Sequence, residues 1–353
     1  MVDDDQNDFR LNEVRFTSGM DQRDCIEMTY THEKQVAITA VTQAAALCSA
    51  VQEEIATVEA MEKGDKSPVT VADFGSQALV CQRLAAAFPQ DAIVAEEDAT
   101  ELREPKNAFK LAQVTRYVQR FQPDASAEKV CRWIEAGKGT LAARFWTLDP
   151  IDGTKGFLRN EQYAIALALI ELGQVQVAIL ACPALPLNMN DPESEKGVLF
   201  IAVRGERAAM TPLGSNSFVP IHVTQESDTT QLRFVESMEA EHGNLALQEA
   251  VAQAVNITYP PLHMDSQAKY GAVARGDAAL YLRLPSPKHP DYREKIWDHA
   301  AGALIVEEAG GRVTDVRGQP LDLASDRKMR GNCGVVVSNG ALHEAVLKAL
   351  AQL

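Results

Sequence analysis

The chain has 353 residues, 46% of them hydrophobic, and a formal net charge of −15. That is apolar material enough for one large domain or two of ordinary size, and the acidic surplus argues against a protein that tracks nucleic-acid phosphates. No apolar run is long enough to cross a bilayer. The acidic opening Met1-Val-Asp-Asp-Asp-Gln-Asn-Asp has neither the basic start nor the apolar segment of a secretory signal, so the cytoplasm is the expected location. The six cysteines, Cys25, Cys48, Cys81, Cys131, Cys182 and Cys333, are scattered without a C-x-x-C pair and read as buried, reduced thiols.

Residues 1–29 lack periodicity and read as a loosely ordered extension. A long amphipathic helix is expected from near His32, with Val36, Ala40, Val41, Ala44, Leu47, Cys48, Val51 and Ile55 at helical spacing. Lys63-Gly-Asp-Lys-Ser-Pro68 breaks it, and a second helix runs from Thr70 to about Phe88 with Pro89 as its stop. Residues 92–95 form a short buried strand that delivers Glu96 and Glu97 at its end. A polar, charged insertion follows over 99–143, helical around 130–134. Residues 144–148 are a strand, and 163–171 and 174–181 form a hairpin split at Leu172-Gly173. After a further strand at 197–203, the Pro/Gly/Ser/Asn-rich stretch 211–220 separates an α+β half, 30–213, from an α/β half, 214–353. In the second half, strands at 233–236, 278–283, 312–315 and 334–338 alternate with helices at 245–254, 298–309 and the C-terminus.

The chemistry concentrates in Trp146-Thr-Leu-Asp149-Pro-Ile-Asp152-Gly153-Thr154. Two carboxylates three residues apart, at the end of a strand and before a Gly-Thr turn, can converge on one hard cation. Amides after Gly153 can face a phosphate if a short helix starts there. This is the machinery of metal-assisted phosphate-ester hydrolysis, although Asp-Pro and Asp-Gly are also ordinary turn formers. Two further segments carry acids: Ile93-Val-Ala-Glu96-Glu97-Asp98, which alone would read as a solvated loop, and Trp297-Asp298-His299-Ala-Ala-Gly302, where an isolated Asp298 would read as a helix N-cap.

Together these three segments resemble the 3′(2′),5′-bisphosphate nucleotidases of the lithium-sensitive, magnesium-dependent phosphatase superfamily that includes inositol monophosphatase and fructose-1,6-bisphosphatase. The resemblance runs from about Tyr30 to the C-terminus and implies a layered α-β-α-β-α sandwich with the site between its halves. It implies roughly two or three Mg²⁺ ions per site, held by Glu96, Asp149, Asp152, Asp298 and the Ile151 carbonyl. Asp73, in Ser67-Pro-Val-Thr70-Val-Ala-Asp73, would accept a hydrogen bond from Thr154, which orients the attacking water. Thr70-x-x-Asp73 is also close to a capping box. Glu97 stays open between a role near the metals and plain exposure. The matching substrate segments nominate Gly153, Thr154, His242, Ser266, Lys269, Arg283 and Asp298, with Lys269 and Arg283 as cationic anchors for a second phosphate. His299 reads as structural. Two departures from the pattern, Ala95 before the acidic pair and Gly243 after His242, leave the carboxylates untouched but make the nucleotide contacts near His242 less defined.

The resemblance implies a phosphatase that converts 3′-phosphoadenosine 5′-phosphate to AMP and phosphate, with 3′-phosphoadenosine 5′-phosphosulfate as a second substrate. The partner is then a small molecule, with neither nucleic acid nor membrane, and the working unit a monomer, a dimer being the alternative. The rival readings are an inositol polyphosphate 1-phosphatase on the same metal core and a non-catalytic nucleotide or divalent-ion sensor.

Overall fold

A computed structural model describes residues 30–59, 68–191, 193–238, 244–289 and 291–353. The expected extension over 1–29, the break before Pro68, Cys25 and His242 lie outside the described residues, as do the side chains of Ile55 and Thr70. No helix of the described residues is long and apolar enough to cross a membrane.

The outermost layer is a pair of helices, α1 (Thr31–Glu59) and α2 (Pro68–Ala87). Their contact is built on the predicted stripe, with Ala40, Val41, Ala44, Leu47, Cys48 and Val51 all buried. α2 starts at Pro68 rather than at Thr70, because a proline fits the first turn, where an amide would have no intrahelical partner. Both helices cover one face of a seven-stranded sheet: β1 (Ala92–Ala95), β2 (Arg144–Asp152), β3 (Ala164–Glu171), β4 (Gln174–Pro186), β5 (Lys196–Val203), β6 (Ala208–Pro212) and β7 (Val219–Pro220), in that order. β1 and β2 are parallel and every other pair is antiparallel. The expected hairpin joins β3 and β4 through Leu172 and Gly173, both at positive φ (50° and 81°), which matches the twist of the flanking strands. The 213/214 division expected from composition falls in the β6–β7 connection, ahead of the last strand of this sheet.

Residues 99–143 are part of the frame. Their helices α3 (Ala108–Gln119) and α4 (Ala127–Glu135) bury Val114, Val118, Val130 and Ile134 in the same core as α1 and α2. The chain then runs alongside β1, where the Ala95 amide donates to the Gly137 carbonyl and the Gly139 amide to the Ile93 carbonyl, both at 2.8 Å. A side chain at Gly139 would meet the Ile93 backbone at 2.6 Å, so only glycine fits this strip.

After β2 comes a one-turn helix, α5 (Thr154–Leu158). The second half contributes β8 (Phe234–Glu236), α6 (Leu245–Ala254), β9 (Leu262–His263), α7 (Ala268–Ala274), β10 (Leu280–Arg283), α8 (Ala300–Glu308), β11 (Arg312–Thr314), β12 (Val335–Ser338) and α9 (His343–Leu350). Its five strands lie in the order β11-β12-β10-β8-β9. Strand periodicity sorts the side chains: Tyr281, Val335 and Val337 face inward with α7, α8 and Phe200 of β5, while Leu280, Leu282 and Val336 face outward against Val251 of α6 and Val346 of α9. The layers are therefore α1/α2, seven-stranded sheet, α7/α8, five-stranded sheet and α6/α9, the expected α-β-α-β-α sandwich.

Candidate active site

The acidic cleft begins with a defect in β2. Asp149 pairs with Ala166 but Asp152 with Ala164, so one extra residue is inserted around Pro150, which has no amide for the ladder. In a regular strand residues i and i+3 point to opposite faces; the bulge puts both carboxylates in one cleft. Asp149 Oδ1 accepts the Ile151 amide at 3.1 Å, and the Ser76 hydroxyl of α2 donates to the Pro150 carbonyl at 2.9 Å, which fixes the bulge from behind. The parallel register Ala95↔Leu148 then sets Glu96 next to Asp149.

Glu96, Asp149, Ile151, Asp152 and Asp298 all line this cleft of about 410 Å³. Asp149 is pushed well above the usual carboxylate range by burial and then by Glu96, Asp152 and Asp298. Asp298 is raised by burial and then by Asp152, and Asp152 by burial, opposed by Lys269. An all-oxygen donor set whose members repel one another fits a hard divalent cation. Asp298 does not cap α8 as a lone Asp there was expected to do. It closes a 3₁₀ turn over Ile296–Asp298 and accepts the Lys295 amide at 3.1 Å, so its carboxylate is held in the cleft instead.

Asp73 is buried on α2, raised well above its ordinary range by burial, then by Glu97 and Glu96. The expected bond from Thr154 is not formed; the Thr154 hydroxyl donates to the Ile151 carbonyl at 3.5 Å. Glu97 is half-buried, pushed up to about 7 by burial and by Glu96. Its backbone is clamped by Gln77, which accepts the Glu97 amide at 2.9 Å and donates to the Glu97 carbonyl at 2.7 Å and the Ile134 carbonyl at 2.9 Å.

The facing wall is the turn Asp265-Ser266-Gln267 and the strand end at Arg283. Gly153, at φ 87°, opens α5 against Ser266, and a Cβ there would come within 2.8 Å of the Ser266 Cβ. Ser266 is itself at φ 65°, an uncommon conformation for a residue with a side chain. Arg159 at the end of α5 pairs with Asp265. Lys269 is buried, its Nζ 3.3 Å from the Met264 carbonyl and 5.3 Å from the centroid of the Tyr281 ring, and burial pulls its pKa down to about 8. Arg283 lines the cleft but is paired, Nε to Glu294 Oε1 at 2.9 Å. Glu294 is held down to about 2, against its burial, by His299 and Arg283. His299 is buried and lines the cleft, bonded through Nδ1 to the Tyr270 hydroxyl at 2.7 Å.

Sequence reasoning missed Glu294 and Gln267. Glu294 has candidate ligand atoms within 4.8 Å of those of Asp298 and His299, and Gln267 donates its amide to Asp152 Oδ2 at 2.6 Å. Glu294 lies four residues before Asp298, just ahead of the segment 297–302, so an eye for i, i+4 acids could have found it. Gln267 carries no local signal.

A five-layer sandwich with an all-oxygen acidic cleft between its halves defines the class of metal-dependent sugar and nucleotide phosphatases. The chain belongs to the inositol monophosphatase family, which matches residues 30–353. It is similar to the 3′(2′),5′-bisphosphate nucleotidase of Schizosaccharomyces pombe, 43% identical over 343 residues that cover 92% of this chain and 96% of the relative. The Oryza sativa 3′(2′),5′-bisphosphate nucleotidase is 43% identical over 339 residues, 91% of this chain and 94% of the relative. Among solved structures, an inositol monophosphatase from Anabaena superposes with a TM-score of 0.60 at 20% identity, covering 91% of this chain and 96% of that one, a likeness of fold.

Proposed function

We propose that this chain is a Mg²⁺-dependent 3′(2′),5′-bisphosphate nucleotidase that hydrolyses 3′-phosphoadenosine 5′-phosphate to AMP and inorganic phosphate, and the 5′-phosphosulfate analogue to adenosine 5′-phosphosulfate and phosphate. The observation that carries this reading is one cleft lined both by a carboxylate cluster and by the cations Lys269 and Arg283. A substrate with two separated anionic groups needs both. Glu96, Asp149, Asp152, Asp298 and the Ile151 carbonyl would hold Mg²⁺, which neutralises the phosphoryl oxygens and the leaving oxygen and makes water more acidic. Asp73 and Thr154 would orient the attacking water, Thr154 through its hydroxyl and Asp73, when ionised, as the acceptor of its proton. Gly153 and Thr154 offer amides to the scissile phosphate, with Ser266 facing them. Lys269 and Arg283 anchor the second phosphate as point charge and planar fork, Arg283 in exchange with Glu294. The substrate is small, and an acidic cytoplasmic monomer suits it.

Inositol polyphosphate 1-phosphatase activity on the same core is the second reading, but relatives at 43% identity carry the nucleotidase name. Steady-state phosphate release with Mg²⁺ on adenosine bisphosphates and inositol phosphates tests the proposal: kcat/KM highest for 3′-phosphoadenosine 5′-phosphate supports it, and higher values for an inositol polyphosphate reject it. No phosphate release from any of them would leave the sensor reading.

A further inference from the structure

Gln267 sits at the head of α7 with its side chain 2% exposed, and every polar atom of that side chain is used. Its Oε1 accepts the Gly302 amide at 3.0 Å and its Nε2 donates to the Trp297 carbonyl at 2.8 Å. Its backbone amide donates to Asp152 Oδ2 at 2.6 Å. Trp297 is the residue before Asp298, and Asp152 ends β2. One residue thus binds the two carboxylate-bearing turns from opposite halves of the fold. The contact is close because Gly302 has no side chain: a Cβ there would lie 2.3 Å from Cγ of Tyr270. Gly302 stands in the first turn of α8, where its amide has no intrahelical carbonyl to bond, so Gln267 caps that helix while also holding the Trp297 carbonyl.

We propose that Gln267 is a positioning residue that fixes the separation and orientation of Asp152 and Asp298, and so sets the affinity of the cleft for its divalent cations. It acts through hydrogen bonds to the ligand-bearing turns and touches neither substrate nor reacting atoms. The inference rests on the reading that these carboxylates bind Mg²⁺. Groups that orient metal ligands from outside typically account for 10- to 100-fold in metal affinity.

Gln267→Met keeps the length and volume and removes both side-chain bonds. Mg²⁺ affinity is measured by calorimetric titration of the metal-free protein and by the Mg²⁺-dependent rise in melting temperature, alongside kcat and KM at saturating Mg²⁺. The control is Asn339→Leu, which removes buried bonds to the Thr224 carbonyl and from the Leu342 amide (3.3 and 3.2 Å) away from the cleft. The expected result is a Mg²⁺ dissociation constant raised about 10- to 100-fold in Gln267→Met and unchanged in Asn339→Leu, with kcat recovering at high Mg²⁺ and KM little altered. Wild-type affinity in Gln267→Met overturns the proposal, as does an equal loss in Asn339→Leu. If Gln267→Met fails to fold, Gln267→Glu replaces it: retaining the acceptor for Gly302 while losing the donor to Trp297, it should also shift the Mg²⁺ midpoint, and an unshifted midpoint overturns the proposal. A wild-type protein that binds no Mg²⁺ would instead reject the metal reading itself.

Discussion

Arg327 and Gly139 join the two sides of the cleft: the guanidinium Nη2 donates to the glycine carbonyl at 2.9 Å. Gly139 bonds β1, whose end carries Glu96, and the Arg327 carbonyl accepts the Ile296 amide at 3.0 Å in the turn that carries Asp298. Arg327→Met should lower stability by about 1.5–3 kcal/mol, the range for a hydrogen bond from a charged donor, as read by urea unfolding. A change of a few tenths of a kcal/mol would mean that this link does not hold the halves together.

Asp152→Asn removes one charge from a cluster of mutually repelling carboxylates. Turnover should fall by a factor of about 100 or more, because the ligand charge is lost. In the absence of divalent ions the variant should melt at the wild-type temperature or above, since a repulsion has been relieved. The rise on adding Mg²⁺ should shrink. Differential scanning calorimetry with and without Mg²⁺ decides the matter, and a lower metal-free melting temperature would contradict the electrostatic account.

Lys269 gives the cleaner test of the second-phosphate anchor, because truncating Arg283 would also strip Glu294 of its partner. Lys269→Met should reduce kcat/KM for 3′-phosphoadenosine 5′-phosphate about 30-fold more than for inositol 1-phosphate, the low end for losing a desolvated charged partner. With its pKa pulled down to about 8, Lys269 loses its charge as pH rises through that value. KM for the bisphosphate should therefore climb above pH 8 in the wild type and stay flat in Lys269→Met. Equal loss on both substrates would remove Lys269 from substrate selection.

His343 makes stability depend on pH far from the cleft. It is fully buried between the Thr314 hydroxyl (2.9 Å) and the Ser338 hydroxyl (2.8 Å), and burial, then Arg312, pulls its pKa down to about 4. The unfolded chain takes up this proton near pH 6.5 and the native one only near 4. Stability should thus be lost as pH falls across that window, by about 3–3.5 kcal/mol in total. His343→Gln should flatten the slope of unfolding free energy against pH between 6.5 and 4, and an unchanged slope would assign it to other groups.

The sequence made the carboxylates legible because chemistry there is written in short segments: strand, turn acid, glycine. Glu96, Asp149, Asp152 and Asp298 lie where a strand end, a bulge or a tight turn stops the chain at the cleft. The long stripe of α1 and the Leu172-Gly173 turn were legible for the same reason, being local. Gln267 was not, since its meaning lies in Asp152, 115 residues before it, and in Trp297, 30 residues after it. Residues 99–143 read as a charged insertion because charged residues interrupt their apolar positions throughout, although Val114, Tyr117, Val118 and Phe121 stand at helical spacing. What integrates them is the burial of Val114, Val118, Val130 and Ile134 together with backbone pairing at Gly137 and Gly139, and the pairing leaves no mark on hydropathy. Arg283 was read as an anchor from the resemblance of its segment, and its engagement with Glu294 depends on how the loop after β10 returns to the strand.

The α7/α8 layer is shared by both sheets, with Phe200 of the first and Tyr281 of the second in one apolar cluster around it. Neither sheet can keep its inner face dry once that layer leaves. The two halves are for this reason not independent thermodynamic units, whatever their names on a topology diagram: melting one exposes the other. The protein should lose its order in a single calorimetric step whose van't Hoff and measured enthalpies agree, and a limited digest should yield no stable fragment corresponding to either half.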